Sequence, residues 1–138
     1  MALTEAKVAD WLARYKRAWE TQDADLFVTL FTPACEYRDN PWIEPVPGAE
    51  FHAFWKALAT IQRDNRIELT CLAVKGDLAI VNWQARYTRL PAGERRMGDG
   101  IFRLTFAPDG RVADLLEWQH WKLEGAPLEK RAFTWKKA

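Results

Sequence analysis

The stretch IELTCLAVKGDLAIVNWQARYTRL, residues 67–90, decides the fold. Ile67, Leu69, Cys71 and Ala73 alternate with polar residues, the period of a half-buried strand. Lys75-Gly76-Asp77 reads as a hairpin turn, and Ala79 to Leu90 as a long returning strand. Val81, Trp83, Ala85 and Tyr87 share one face of it, and Asn82, Gln84 and Arg86 the other. Downstream, PAGERR (residues 91–96) is a second turn and Met97 to Phe106 a further strand. Pro108-Asp109-Gly110 is a third turn, and Arg111 to Trp121 the last strand. On that strand Leu116, Trp118 and His120 share a face, opposite Leu115, Glu117, Gln119 and Trp121. These four segments form an antiparallel meander.

Upstream the period is helical. Thr4 caps a helix running to about Thr21, with Val8, Trp11, Leu12, Tyr15, Ala18 and Trp19 on one face. Asp23 caps a second, with Leu26, Phe27, Leu30 and Phe31 behind it and Pro33 at its end. Cys35 to Asp39 is a short strand expected at the sheet edge. NPWIEPVPG (residues 40–48) carries three prolines and is loop. A third helix starts near Gly48, with Phe51, Phe54, Trp55, Leu58 and Ile61 on one face. The class is α+β: helices first, then strands. Residues 1–125 form one domain, and residues 126–138 a tail that either frays or is pinned to a partner by Phe133 and Trp135.

The 20 Lys and Arg nearly cancel the 19 Asp and Glu, which gives no electrostatic footprint for nucleic acid or an anionic membrane. No apolar run approaches the roughly 20 residues of a membrane helix, and the N-terminus lacks a secretory apolar core. The two cysteines, Cys35 and Cys71, are expected as buried free thiols, which suits a reducing cytoplasm. No metal motif is present; His52 reads as exposed, and His120, on the parity opposite Glu117, is a candidate for a dimer face. Eight tryptophans in 138 residues exceed what a core of this size needs. Large apolar residues lie on both faces of the last strand, so one face covers helices or a cavity and the other a second subunit. Trp83 and Trp118 are expected at the subunit face, and Trp121 at the end of the pocket.

Ala13-Arg14-Tyr15, Trp19, Asp23, Leu30-Phe31, Tyr37-Arg38-Asp39-Asn40-Pro41, Gly48 and Phe54-Trp55 appear in that order. Asp99-Gly100-Ile101-Phe102, Asp109-Gly110-Arg111-Val112 and Glu117-Trp118 follow. In order and spacing these resemble the nuclear transport factor two-like superfamily, which includes SnoaL-like cyclases and ketosteroid isomerases. The resemblance covers about residues 5–122. It implies a cone: three N-terminal helices packed on a strongly curved antiparallel sheet that encloses a pocket. It also implies a homodimer through the outer sheet face. The superfamily holds isomerases, dehydratases, epoxide hydrolases, dioxygenase small subunits and transport factors, so fold alone does not settle function.

Three residues are candidates for chemistry. Asp39 aligns with the general base of the isomerases; a carboxylate against an apolar wall has a raised pKa and moves a proton next to a carbonyl. It also reads as the start of a strand-ending turn, bonding backbone amides. Tyr15 matches their oxyanion tyrosine, or is a core residue with its hydroxyl satisfied. Their second oxyanion donor, a carboxylic acid, falls where this chain has Phe102. Glu117 shares a face with Leu115 and Gln119, and the resemblance implies that this face of the last strand points into the pocket. Glu117 either reacts or forms a structural pair, with Asn82, Gln84 or Arg86 as partners. The Arg-x-Asp of the epoxide hydrolases is absent from Val81-Asn82-Trp83-Gln84-Ala85. Tyr37, Trp19, Trp42, Trp55, Asn82, Gln84, Phe102 and Gln119 are expected to line the ligand site, with Trp42 at the pocket mouth.

The function expected is acid–base chemistry without a cofactor. It is that of a lyase or isomerase on a small hydrophobic carbonyl compound, with Asp39 as base and Tyr15 polarising the carbonyl. The alternative is a protein of the same fold that binds a small ligand without chemistry. A pure assembly subunit ranks third, because such subunits carry longer termini.

Overall fold

The computed structural model describes residues 2–136. The helices are α1 (Glu5–Glu20), α2 (Ala24–Thr29) and α3 (Phe51–Ala59), the last entered through a 3-10 turn at Gly48–Glu50. The strands are β1 (Glu36–Arg38), β2 (Val46–Pro47), β3 (Gln62–Lys75), β4 (Leu78–Arg89), β5 (Glu94–Phe106) and β6 (Val112–Leu123). Both expected caps form: the Thr4 hydroxyl accepts from the Lys7 amide, and the Asp23 carboxylate from the Leu26 amide. Each satisfies an amide the first helical turn leaves open.

The sheet runs β2-β1-β6-β5-β4-β3. The four long strands form the expected antiparallel meander. The sheet as a whole is mixed, because β1 pairs with β6 in parallel, Tyr37 opposite Leu115. Nor is β1 the edge, since Val46–Pro47 in the proline-rich segment pairs outside it. The second turn is also shorter than expected: Glu94 already pairs with Arg89, so β5 absorbs Glu94, Arg95 and Arg96.

The helices cover one face of the sheet, and the core lies between. Val8, Trp11, Leu12, Tyr15, Ala18 and Trp19 of α1 meet Val81, Trp83, Ala85 and Tyr87 of β4 and Phe102 and Leu104 of β5 there. Phe27 and Trp55 stack face to face at 3.6 Å between centroids, joining α2 to α3. Indole donors close the helical layer: Trp11 Nε1 donates to the Leu30 carbonyl at 2.9 Å, and Trp55 Nε1 to the Ala18 carbonyl at 3.0 Å.

Trp83 corrects one expectation. It is 2% exposed on the helix-covered face, not on the outer one. Residues directly opposite in a ladder share a face. Trp83 opposes Gly100, and Gly100 opposes Gln119, so all three face inward. Trp118 does lie on the outer face, 42% exposed, with the Arg103 guanidinium 6.0 Å from its ring centre. Both cysteines are free, but only Cys35 is buried; Cys71, on edge strand β3, is half-buried. His52 is exposed and meets Asp25 at 2.9 Å. Among the described residues no helix is long and apolar enough to cross a membrane. Beyond Leu123, residues 124–136 form no helix or strand, and Phe133 and Trp135 are 70% and 64% exposed. Met1 and the last two residues of the tail lie outside the described residues.

Candidate active site

A cavity of about 80 Å³ lies between the helices and the sheet. Asp39, Glu117, Tyr15, Tyr37, Trp19, Trp55, Phe102 and Gln119, eight of the residues expected at the site, line it. Three do not. Trp42 is 94% exposed at the tip of the loop after β1. Asn82 and Gln84 lie on the outer face, where both donate to the Asp99 carboxylate, at 2.8 and 3.1 Å. Strand alternation separated the two faces of β4 but did not say which was inner. The residues missed are those opposite, Trp83 and Ala85, together with Phe54 and Leu58 of α3 and Gln62 and Ile67 of β3.

Asp39 stands just past the end of β1, where the strand gives way to the proline-rich loop. The turn reading belongs to its neighbour: Asn40 Oδ1 accepts from the Trp42 amide at 2.8 Å. The Asp39 carboxylate takes no hydrogen bond among the described residues. Burial against the aromatic wall raises its pKa above the ordinary 3.8. Its backbone carbonyl accepts from Gln119 Nε2 at 2.9 Å, and Gln119 Oε1 accepts from Trp121 Nε1 at 2.6 Å. This chain of hydrogen bonds ties the Asp39 backbone to the centre of the sheet.

Glu117 is 5% exposed. The partners expected for it, Asn82, Gln84 and Arg86, point to the opposite face. Its contact is instead Tyr37, whose hydroxyl donates to Glu117 Oε2 at 3.4 Å. The Tyr15 and Tyr37 hydroxyls are also 3.4 Å apart. Both contacts are long and weak. Among the described residues no Lys, Arg or His lines the cavity. Burial and the nearby Asp39 therefore push the Glu117 carboxyl well above its ordinary value, and the Tyr37 hydrogen bond only partly opposes them. The same burial raises both phenols, so Tyr15 and Tyr37 keep their protons.

A proton count follows. With Glu117 protonated, Tyr15, Tyr37 and Glu117 carry three O–H donors joined by two contacts. One O–H is left for a ligand oxygen. With Glu117 ionised, both phenol protons are used and none is left. The site thus pairs a half-buried carboxylate that can accept a proton with a buried carboxylic acid that can donate a hydrogen bond.

Comparisons with known proteins agree with the fold. The SnoaL-like polyketide cyclase fold described for a Jannaschia species superposes with a TM-score of 0.70 at 21% identity, covering 83% of this chain and 86% of that one. The epoxide hydrolase/cyclase-like enzyme SalBIII, of pyran ring formation in salinomycin, gives 0.75 at 20% identity over 86% and 97%. A hexachlorocyclohexane dehydrochlorinase gives 0.72 at 11% identity over 93% and 94%. No curated protein matches by sequence. The family model for the SnoaL-like domain matches residues 12–115, and the chain belongs to that family.

Proposed function

We propose that this protein is a small isomerase or lyase that moves a proton on a hydrophobic carbonyl compound, with Asp39 as base. The observation that carries this reading is the pair of unequal carboxyls in one aromatic cavity: Asp39 half-buried, Glu117 fully buried. Asp39 takes the proton from the carbon beside the carbonyl. The C–H electron pair moves toward the carbonyl oxygen, which the spare O–H of the Tyr15–Tyr37–Glu117 chain holds. The proton then returns at another carbon, or a leaving group departs. General acid–base catalysis of this kind contributes about 10²- to 10⁴-fold. Asp39→Asn should therefore lose about that much turnover on a substrate found by screening ketones and enones. Unchanged turnover removes Asp39 from the mechanism.

Ligand binding without chemistry is the second reading. It is favoured by the two hydroxyl contacts at 3.4 Å, too long for a tightly organised oxyanion site. It expects tryptophan fluorescence to be quenched by a ligand that stays intact over hours. The ligand is a small hydrophobic molecule in either case. The outer sheet face, with Trp118 exposed, is read as the surface through which two copies pair.

A further inference from the structure

The inward side of β5 is bare at two positions. Gly98 and Gly100 alternate with Phe102, Leu104 and Phe106, all three buried. A Cβ on Gly100 would lie 2.3 Å from Trp83 Cζ2, and one on Gly98 2.5 Å from Trp121 Cε3. Each indole therefore lies flat on the backbone of β5, one reaching over from β4 and the other from β6. Their ring centres are 5.4 Å apart, and Tyr87 packs edge-on behind Trp121 at 5.1 Å. A glycine in a strand interior often marks such a close approach.

The two indoles occupy space that a pocket of this fold would otherwise offer to a ligand. What is left is about 80 Å³. A dry cavity of about 150 Å³ holds benzene, and drug-sized ligands take about 300 Å³ or more. One ring enters with small side-chain movements; two fused rings need an indole removed. The lining also has a sign. Among the described residues it holds Asp39 and Glu117 and no cation, so an anionic ligand would be desolvated with nothing there to pair it.

We propose that Trp83 and Trp121 are the specificity-determining residues of this site, limiting its substrate to an uncharged molecule no larger than a single six-membered ring. This rests on the reading that the cavity is the substrate site. Trp121 is hydrogen-bonded through Gln119 to the backbone of Asp39, so its position is fixed relative to the base. Trp83 Nε1 is buried without a hydrogen-bond partner among the described residues. Replacing Trp83 by leucine therefore removes an unmet donor, which offsets part of the lost packing.

The test is calorimetric titration of the full chain with phenol, naphthol and benzoate at neutral pH. Phenol should bind, naphthol at least about tenfold more weakly, and benzoate not measurably. Trp83→Leu should gain at least about tenfold for naphthol, and Trp121→Leu the same. Trp121→Phe, which keeps a ring on Gly98, should gain less and guards against a leucine variant that fails to fold. The proposal is overturned if wild type takes naphthol as tightly as phenol. It is also overturned if phenol does not bind, if benzoate competes with phenol, or if no folded variant gains naphthol. Asp39→Asn separates this from the catalytic reading. If that variant keeps both its turnover and the size ranking, the base assignment fails and the size limit stands.

Discussion

Glu117 on β6 stands directly across the ladder from Phe102 on β5. The resemblance to ketosteroid isomerases puts their second oxyanion donor at Phe102, which cannot donate. Cross-strand partners share a face, and a buried carboxyl stands one strand over. It reaches the same cavity, with Tyr37 as its contact.

The burial of Glu117 makes stability fall with pH. Its folded pKa lies above the ordinary 4.5 of the unfolded chain, so the native state binds the extra proton between the two values. Stability is therefore greatest below 4.5 and declines as pH rises toward the folded value. The slope is at most about 1.4 kcal/mol per pH unit for one proton. Glu117→Gln keeps the shape and cannot ionise. Denaturant melts should show it level with wild type near pH 4 and more stable at about pH 8. A constant difference across that range would mean that Glu117 does not titrate with folding.

Tyr37→Phe should act through Glu117. The Tyr37 hydroxyl lowers the Glu117 pKa against larger opposing effects, so its loss lets the value rise further. The variant also removes one of the three O–H groups and both of the contacts between them. Any alkaline limb of turnover that reports Glu117 ionisation should shift upward, and KM should change less than kcat. An unmoved limb would assign that ionisation to another group.

What was legible in the sequence was local. Thr4 and Asp23 cap their helices because short polar side chains reach the first-turn amides, a matter of three residues. The alternation in residues 78–89 sorted β4 into two sets for the same reason. Which set faced inward depended on the register against β5, a long-range fact. Asn82 and Gln84 were therefore placed in the pocket, and Trp83 at the subunit face. One signal was available: Gly98 and Gly100 sit two apart in a strand, leaving room on one face for bulky side chains from its neighbours. For Glu117 the alternation alone leaves the face open, and it is the resemblance that points the Leu115, Glu117 and Gln119 face into the pocket, where the structure has it. Trp42 misled because loop composition reports mobility and turn geometry, not which way a side chain points.

Filling that room should be costly. Gly100→Ala places a methyl within 2.3 Å of the Trp83 ring and 2.8 Å of the Trp118 carbonyl. Trp83 lines the cavity, so a shift of its ring alters the ligand space, and the backbone cannot yield cheaply. Overpacking of this kind costs about 1–3 kcal/mol. Thermal melts should show that loss together with altered phenol binding, since the displaced indole borders the ligand space. A stable variant with unchanged binding would mean that Trp83 is held less tightly than the structure has it.

The outer face carries a separate prediction. If two copies pair there, Trp118→Asp should leave a folded monomer, because a charge replaces the exposed indole near the centre of β6. Sedimentation velocity should find wild type at twice the monomer mass and the variant at the monomer mass. A monomeric wild type would end the pairing proposal without touching the cavity.

If Asp39 is the base, as proposed, it sets the acid limb of the rate profile. Its carboxylate is half-buried, lacks hydrogen bonds and has no cation beside it, so it gains its proton at higher pH than an exposed aspartate. Turnover should rise with pH through a value above 3.8, as the base becomes ionised, and fall again as Glu117 loses its proton. The two carboxyls repel each other, so the limbs belong to the pair and not to single residues. Glu117→Gln should separate them. Its amide still donates a hydrogen bond but cannot ionise, so the alkaline limb should disappear while the acid limb stays. Burial is what raises the Asp39 value, and Glu117→Gln leaves that burial in place, so the acid limb should stay where it is. A profile that keeps its alkaline limb in Glu117→Gln would assign the acid to another residue.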